Sequence, residues 1–168
     1  MEVKVSRNPF GELRNECAKL LSGAFVRIFP ASSLPLISLD LPPSMQFGEL
    51  ASSICFELAK RVGEAPKSLA ERIVREINVS ASSLVRRVEA AGGYINFYAD
   101  YANLSALTLE SARKFDSEYG LVKTDKPKKV IVEHTSVNPV HPIHIGQARN
   151  PILGDALARI LKATGHKV

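Results

Sequence analysis

Apolar residues recur every three or four positions from Phe10 through Leu13, Cys17, Leu20, Leu21 and Ala24 to Ile28, which predicts an amphipathic helix. Asn8 stands where an N-cap belongs, Pro9 suits a first helical position, and Pro30 with the small residues after it closes the element. The leucine-rich, β-branched run LPLISLDLPP predicts one strand, ended by Pro42 and Pro43. From Gly48 the helical period returns, with Phe47, Ala51, Ile54, Cys55, Leu58 and Val62 on one face and Gly63 as the C-terminal cap. Another helix opens near Pro66 and carries Leu69, Ile73, Val74 and Ile77.

The period then switches to two. The stretch from Ser83 reads as a strand, Gly92-Gly93 as a turn, and YINFYAD alternates. Ile95, Phe97 and Ala99 are expected in the core, leaving Tyr94, Asn96 and Tyr98 on the solvent side. A helix over roughly Leu104 to Phe115 leads into the charged stretch Asp116 to Lys129. Val130 to Glu133 is apolar enough for a strand buried on both faces. After a loop with His134, His141 and His144 among prolines, a helix near Gly146 is expected to bury Ile152, Leu153, Ala156, Leu157, Ile160 and Leu161, with Gly165 as its cap. His166-Lys167-Val168 reads as the start of a second, parallel strand, the first half of a βαβ nucleotide-binding unit. The expected class is α+β: helices on a small antiparallel sheet over residues 1–118, a basic linker over 119–129, and one βα unit over 130–168.

Composition changes this picture little. With 168 residues, 45% hydrophobic and 23% charged, the chain suits a globular domain plus part of a second. No apolar run reaches the ~20 residues that span a bilayer, and the N-terminus lacks a secretory core, so no membrane is expected and the address reads as cytoplasmic. Cys17 and Cys55 read as small buried hydrophobes of a reducing compartment. The net charge of +5 falls entirely after residue 120, where eight Lys/Arg face three Asp/Glu. Lys123, Lys126, Lys128 and Lys129 form a cluster that fits either a solvated linker or phosphate attraction.

The chemistry concentrates at the loop before the last helix. Ligands bind at the C-terminal ends of parallel strands, and a helix N-terminus offers free N–H groups to an anion. Gly146 permits close approach there, flanked by His144 and Gln147. Neither a P-loop nor a dinucleotide fingerprint is present. Three nearby histidines raise a zinc reading, but their spacing gives no i,i+4 pair and no cysteine lies close, so no bound metal or prosthetic group is expected.

His144-Ile145-Gly146-Gln147 resembles the His-Ile-Gly-His signature of class I aminoacyl-tRNA synthetases. Its setting, VEHTSVNPVHPIHIGQARN followed by GDALAR, is similar to arginyl-tRNA synthetases in particular. LPP, FGELA, FELAK, PKSLAERI and GGYINF resemble that family's N-terminal additional domain, in order, so the likeness spans nearly the whole chain. It implies that residues 130–168 begin a Rossmann-like class I catalytic domain. It also implies an ATP-dependent arginine–tRNA ligase, with ATP and Mg2+ entering as substrate and arginine and arginine tRNA as partners.

The same resemblance assigns residues. His144, Gly146 and Gln147 would contact the ATP phosphates, with His144 and Gln147 as the catalytic pair. Glu133, Ser136, Asn138 and His141 would belong to the arginine end of the site, although the family often has lysine at the position of His141. Gln147 departs from the signature: a neutral amide donates a weaker hydrogen bond than a cationic imidazole. The front domain would meet the tRNA D-loop, where Tyr94 stacks on an unpaired base, Asn96 reads its edge, and Ala91 and Gly93 allow close backbone approach. The family's later Lys-Met-Ser-Lys-Ser loop, guanidinium pocket and anticodon-binding domain have no counterpart in the sequence. The 168 residues alone are therefore not expected to activate arginine, and the apolar strand at Val130 would be disordered, covered locally or completed by a second chain. A free-standing, non-catalytic tRNA-binding module, or a paralogous remnant, is the alternative.

Overall fold

The computed structural model describes residues 4–30, 33, 35–137, 140, 142 and 144–168, and divides into two compact units, residues 1–114 and 115–168. In the first unit, helix α1 spans Pro9–Ile28. The Asn8 side chain accepts from Gly11 N at 2.9 Å and Pro9 occupies the first turn, so the local signals set its start. It buries Pro9, Leu13, Cys17, Leu20, Leu21, Ala24 and Phe25; Phe10, expected on that face, is 38% exposed.

The run before Pro42 is not a strand. Among its described residues the one ladder contact is an isolated antiparallel bridge, Asp40 to Ala51. The helix expected from Gly48 also changes character. Residues Leu50–Ser52 form strand β1, and helix α2 begins only at Ile54 and runs to Val62. The reason is non-local. Gly48 adopts φ +86°, where an added Cβ would lie 2.3 Å from Phe97 O, and Glu49 N donates to that same oxygen at 2.9 Å. Leu50 and Ser52 then face the core with period two, and Phe47 and Ala51 fall outside the helix.

Gly63, at φ +74°, caps α2, and helix α3 spans Pro66–Glu76, burying Leu69, Ala70 and Ile73. Strands β2 (Val85–Ala91) and β3 (Tyr94–Ala99) form the expected hairpin. Positive φ at both Gly92 and Gly93 is what a two-residue turn between right-twisted strands demands. The sheet order is β1-β3-β2, all antiparallel. Helix α4 follows over Tyr101–Phe115. One contiguous core joins α1, α2, α3 and the sheet through Leu21, Phe25, Leu50, Leu58, Leu69, Ile73, Ile95 and Phe97. Cys17 and Cys55 are free and buried, and burial pushes their thiols up to about 12 and about 11. Glu16 ties α1 to the entry of β2, accepting from Ser82 Oγ, from Ser83 N at 3.1 Å and from Leu84 N at 3.0 Å.

The second unit differs from expectation in two ways. Val130–Glu133 makes no ladder. A single parallel bridge joins Lys129 to Lys167, with Val130 N donating to Lys167 O at 2.8 Å, and Ile131 is 87% exposed. A parallel strand is stabilised by neighbours on both sides, and one residue of His166-Lys167-Val168 supplies all the pairing found among the described residues. Helix α5 spans Ile145–Ala163, but Ile152, Leu153, Leu157 and Ile160 are exposed, Ala156 and Leu161 are half-buried, and its one buried residue is Gly154. Its C-terminus closes at the expected cap, Gly165, in a Schellman motif, with Gly165 N donating to Lys162 O, His166 N to Leu161 O, and Gly165 at φ +88°. No helix among the described residues is long and apolar enough to cross a membrane.

Candidate functional site

The first unit holds a cavity of about 640 Å³ on the sheet face opposite the core. Its polar lining is Asp40, Ser53 and Asn96; Leu41, Pro42, Pro43, Phe47 and Tyr94 supply apolar walls, and Ala51, Ala91 and Gly92 leave room. That volume lies in the ~300–1,000 Å³ range of small-molecule sites. The strand register explains the grouping. Asn96 pairs with Ala51 on one side and Glu89 on the other, and opposed residues share a face, so the alternation that buries Ile95 and Phe97 turns Tyr94 and Asn96 toward the cavity.

Tyr94 and Asn96 share a face, as the alternation requires, but it is not an open one. The segment from Asp40 to Phe47 covers it, and Asn96 is only 3% exposed. Its amide makes no hydrogen bond with any described residue, and because no buried side-chain polar atom among the described residues lacks a partner, its polar atoms open onto the cavity. Tyr94 stays 47% exposed, its ring held edge-on by Phe56 at 4.9 Å, so one face is free to stack. Tyr98 is engaged: its hydroxyl donates to Gln46 O at 3.0 Å and the Arg87 guanidinium lies 3.6 Å over its ring. Ala91 lines the cavity. Gly93 does not; an added Cβ there would meet Phe56 and Pro66 at 3.0 Å, and Gly92 takes its place at the cavity.

Asp40, Phe47 and the Leu41-Pro42-Pro43 cover escaped the sequence reading. The signal available was the alternation of Leu39, which is buried, with exposed Asp40 just before the paired prolines.

In the second unit the helix N-terminus is built by the residues expected to serve it. His144 is the N-cap of α5; its Nδ1 accepts from Gly146 N at 3.2 Å, and Gln147 Oε1 accepts from His144 N at 3.3 Å. An imidazole accepting at Nδ1 carries its neutral-form proton on Nε2, which is thereby left as a donor. The Gln147 oxygen is spent on the cap, and its NH2 remains a donor. Ser136 Oγ donates to Glu133 Oε1 at 3.1 Å. Thr135, between them, sits at φ +76°, a strained value for a β-branched residue. His134 packs on Gly154, where an added Cβ would lie 2.2 Å from His134 Cβ. Asn138 and His141 lie outside the described residues.

Two family models match the chain: the arginyl tRNA synthetase N terminal domain over residues 12–99, and the class I (R) tRNA synthetase catalytic domain over residues 108–168. The chain belongs to the arginyl-tRNA synthetase family. It is 37% identical over 156 residues to the arginine–tRNA ligase of Pyrococcus furiosus, covering 93% of this chain and 25% of that protein. The ligase of Methanobrevibacter smithii is 45% identical over 131 residues, 77% of this chain and 22% of the relative. The arginyl-tRNA synthetase structure from Thermus thermophilus superposes with a TM-score of 0.58 at 29% identity, over 92% of this chain and 24% of that one. The Plasmodium falciparum enzyme shares the fold, with a TM-score of 0.65 at 16% identity over 90% of this chain and 28% of that one. The chain thus spans about a quarter of the length of the arginyl-tRNA synthetases it matches.

Proposed function

We propose that this chain is the tRNA-recognising N-terminal portion of an arginine–tRNA ligase, a cytoplasmic enzyme, and that residues 1–118 hold an unpaired D-loop base in the cavity beside Tyr94. The observation that carries the reading is Asn96, a residue 3% exposed whose amide has no partner among the described residues and lines the cavity. Base recognition in single strands combines stacking with amide hydrogen bonds to base edges, and Tyr94 and Asn96 supply one of each. Ala91 leaves room for the backbone, and Gly93 holds the turn that presents Tyr94.

Residues 130–168 open the catalytic domain in this reading. His144 Nε2, the Gly146 backbone and the Gln147 amide offer donors to the phosphates of ATP, which enters with Mg2+ as substrate. Glu133, Ser136, Asn138 and His141 serve the arginine end. A second polypeptide or a further segment of the same one supplies the remaining catalytic parts. The 168 residues by themselves are expected to show no arginine-dependent ATP–pyrophosphate exchange.

The test is binding of this chain to arginine tRNA and to a non-cognate tRNA at two salt concentrations, with Tyr94→Ala and Asn96→Ala beside the wild type. Loss of a stacking partner is expected to cost ~1–3 kcal/mol on the cognate tRNA. Weak binding that is equal for both tRNAs and steeply salt-dependent would instead leave only lysine–phosphate attraction, and the base-reading function would be wrong.

A further inference from the structure

Asp40 and Ala51 exchange both backbone hydrogen bonds, each at 2.9 Å, and Ala51 is in turn the cross-strand partner of Asn96. Opposed residues in antiparallel pairs project to the same face, so Asp40, Ala51 and Asn96 stand in one row on the cavity side, and all three line it. Two inter-strand spacings, roughly 10 Å, separate the outer backbones, and the side chain between them is a methyl group. The slot over Ala51 is therefore walled by a carboxylate on one side and an unpaired amide on the other.

The carboxylate is oriented but not consumed. Ser38 Oγ donates to Asp40 Oδ2 at 2.8 Å, while Oδ1 has no partner and the group no cation among the described residues. An exposed acid beside a polyphosphate is repelled by it, and donors on the ligand that face the acid offset that repulsion. An ionised carboxylate only accepts. A base edge facing it must present N–H groups, as the exocyclic amines of adenine, cytosine and guanine do, whereas uracil brings carbonyl oxygens to either side of its single N–H.

Building on the base-reading function of the cavity, we propose that Asp40 is its specificity-determining residue, selecting an amino-bearing base and rejecting uracil across the slot that Asn96 closes from the other side. Ser38 is the positioning residue that holds the Asp40 carboxylate. The backbone bridge to Ala51 fixes where that carboxylate stands, and Ala51 must stay small for the base to lie between the two walls.

The experiment uses transcripts of an arginine tRNA with A, C, G or U placed at each unpaired D-loop position in turn, bound to wild type, Tyr94→Ala, Asp40→Asn and Ser38→Ala. At the position read, wild type should bind the best amino-bearing base about tenfold more tightly than uracil, within the usual discrimination of one mismatch. Asp40→Asn, which keeps size and backbone, should reduce that ratio to below about threefold, and Ser38→Ala should reduce it partly. If Tyr94→Ala leaves binding unchanged, the base-reading function and this inference fall together. If Tyr94→Ala weakens binding but Asp40→Asn strengthens or weakens all four transcripts by one factor, base reading stands and the selectivity role of Asp40 is overturned. Should Asp40→Asn lose its helical circular dichroism, Ser38→Ala decides: an undiminished ratio overturns the proposal.

Discussion

Helices α1 and α5 are nearly equal in length, at 20 and 19 residues, and both carry apolar side chains at helical spacing. In α1 that spacing becomes a core: Leu13, Cys17, Leu21 and Phe25 are at most 1% exposed. In α5, Ile152, Leu153, Leu157 and Ile160 are 45–71% exposed, while His134 packs against Gly154. The difference shows that periodicity marks which face is apolar, while burial depends on a second surface. Residues 1–114 contain theirs in α3 and the sheet; the described part of residues 115–168 does not.

The largest test of this contrast is truncation of an apolar side chain on each side of it. Phe97→Ala should lower stability by ~3–5 kcal/mol, as large-to-small changes in a closed core do, read from urea unfolding followed by circular dichroism. Leu157→Ala should stay within ~0.5 kcal/mol. A cost above ~2 kcal/mol at Leu157 would mean that its face is covered in solution.

A smaller effect sharpens the comparison at the helix starts. Asn8 caps α1 alone, whereas α5 uses His144 and Gln147 reciprocally. Gln147→Ala should cost ~1 kcal/mol of local helix stability, seen as roughly fivefold faster amide exchange in the first turn of α5 with no change in the unfolding of residues 1–114. Equal protection in both proteins would show that the return bond from Gln147 contributes nothing.

The smallest effect belongs to Glu16. Burial pushes its carboxyl up, but hydrogen bonds from Ser82 Oγ and Leu84 N, the charge of Lys4 and the Ser83 N–H together outweigh it and hold the group below its ordinary value of 4.5. A depressed carboxyl stabilises the fold fully above that ordinary value, and the contribution is lost as pH falls through the folded one. Wild type should therefore lose stability more steeply than Glu16→Gln between neutral pH and pH 3 in the same urea experiment. Parallel pH curves would remove Glu16 as the tie between α1 and β2.

Much of this was legible along the chain because it is local. Asn8-Pro9, Gly63, Pro66, Gly92-Gly93 and Gly165 each impose a cap or turn by their own stereochemistry. The hairpin's period of two and the burial of Ile95 and Phe97 follow from the same nearest-neighbour information. The signature around His144 was equally legible, since the reciprocal cap needs only residues three apart. Leu50–Ser52 was not, because its strand character comes from β3, more than forty residues away, pairing against a helical pattern that begins just beyond it. Nor was the burial of Asn96, which depends on the cover brought over it from Asp40 to Phe47. The sequence by itself determined the starts of α1 and α3, the turn at Gly92-Gly93, the cap at Gly165 and which hairpin residues share a face. The tertiary structure decided which faces were covered and that Asp40, Ala51 and Asn96 meet in one row, since contacts between distant segments depend on how the strands pair, and no local propensity carries that information.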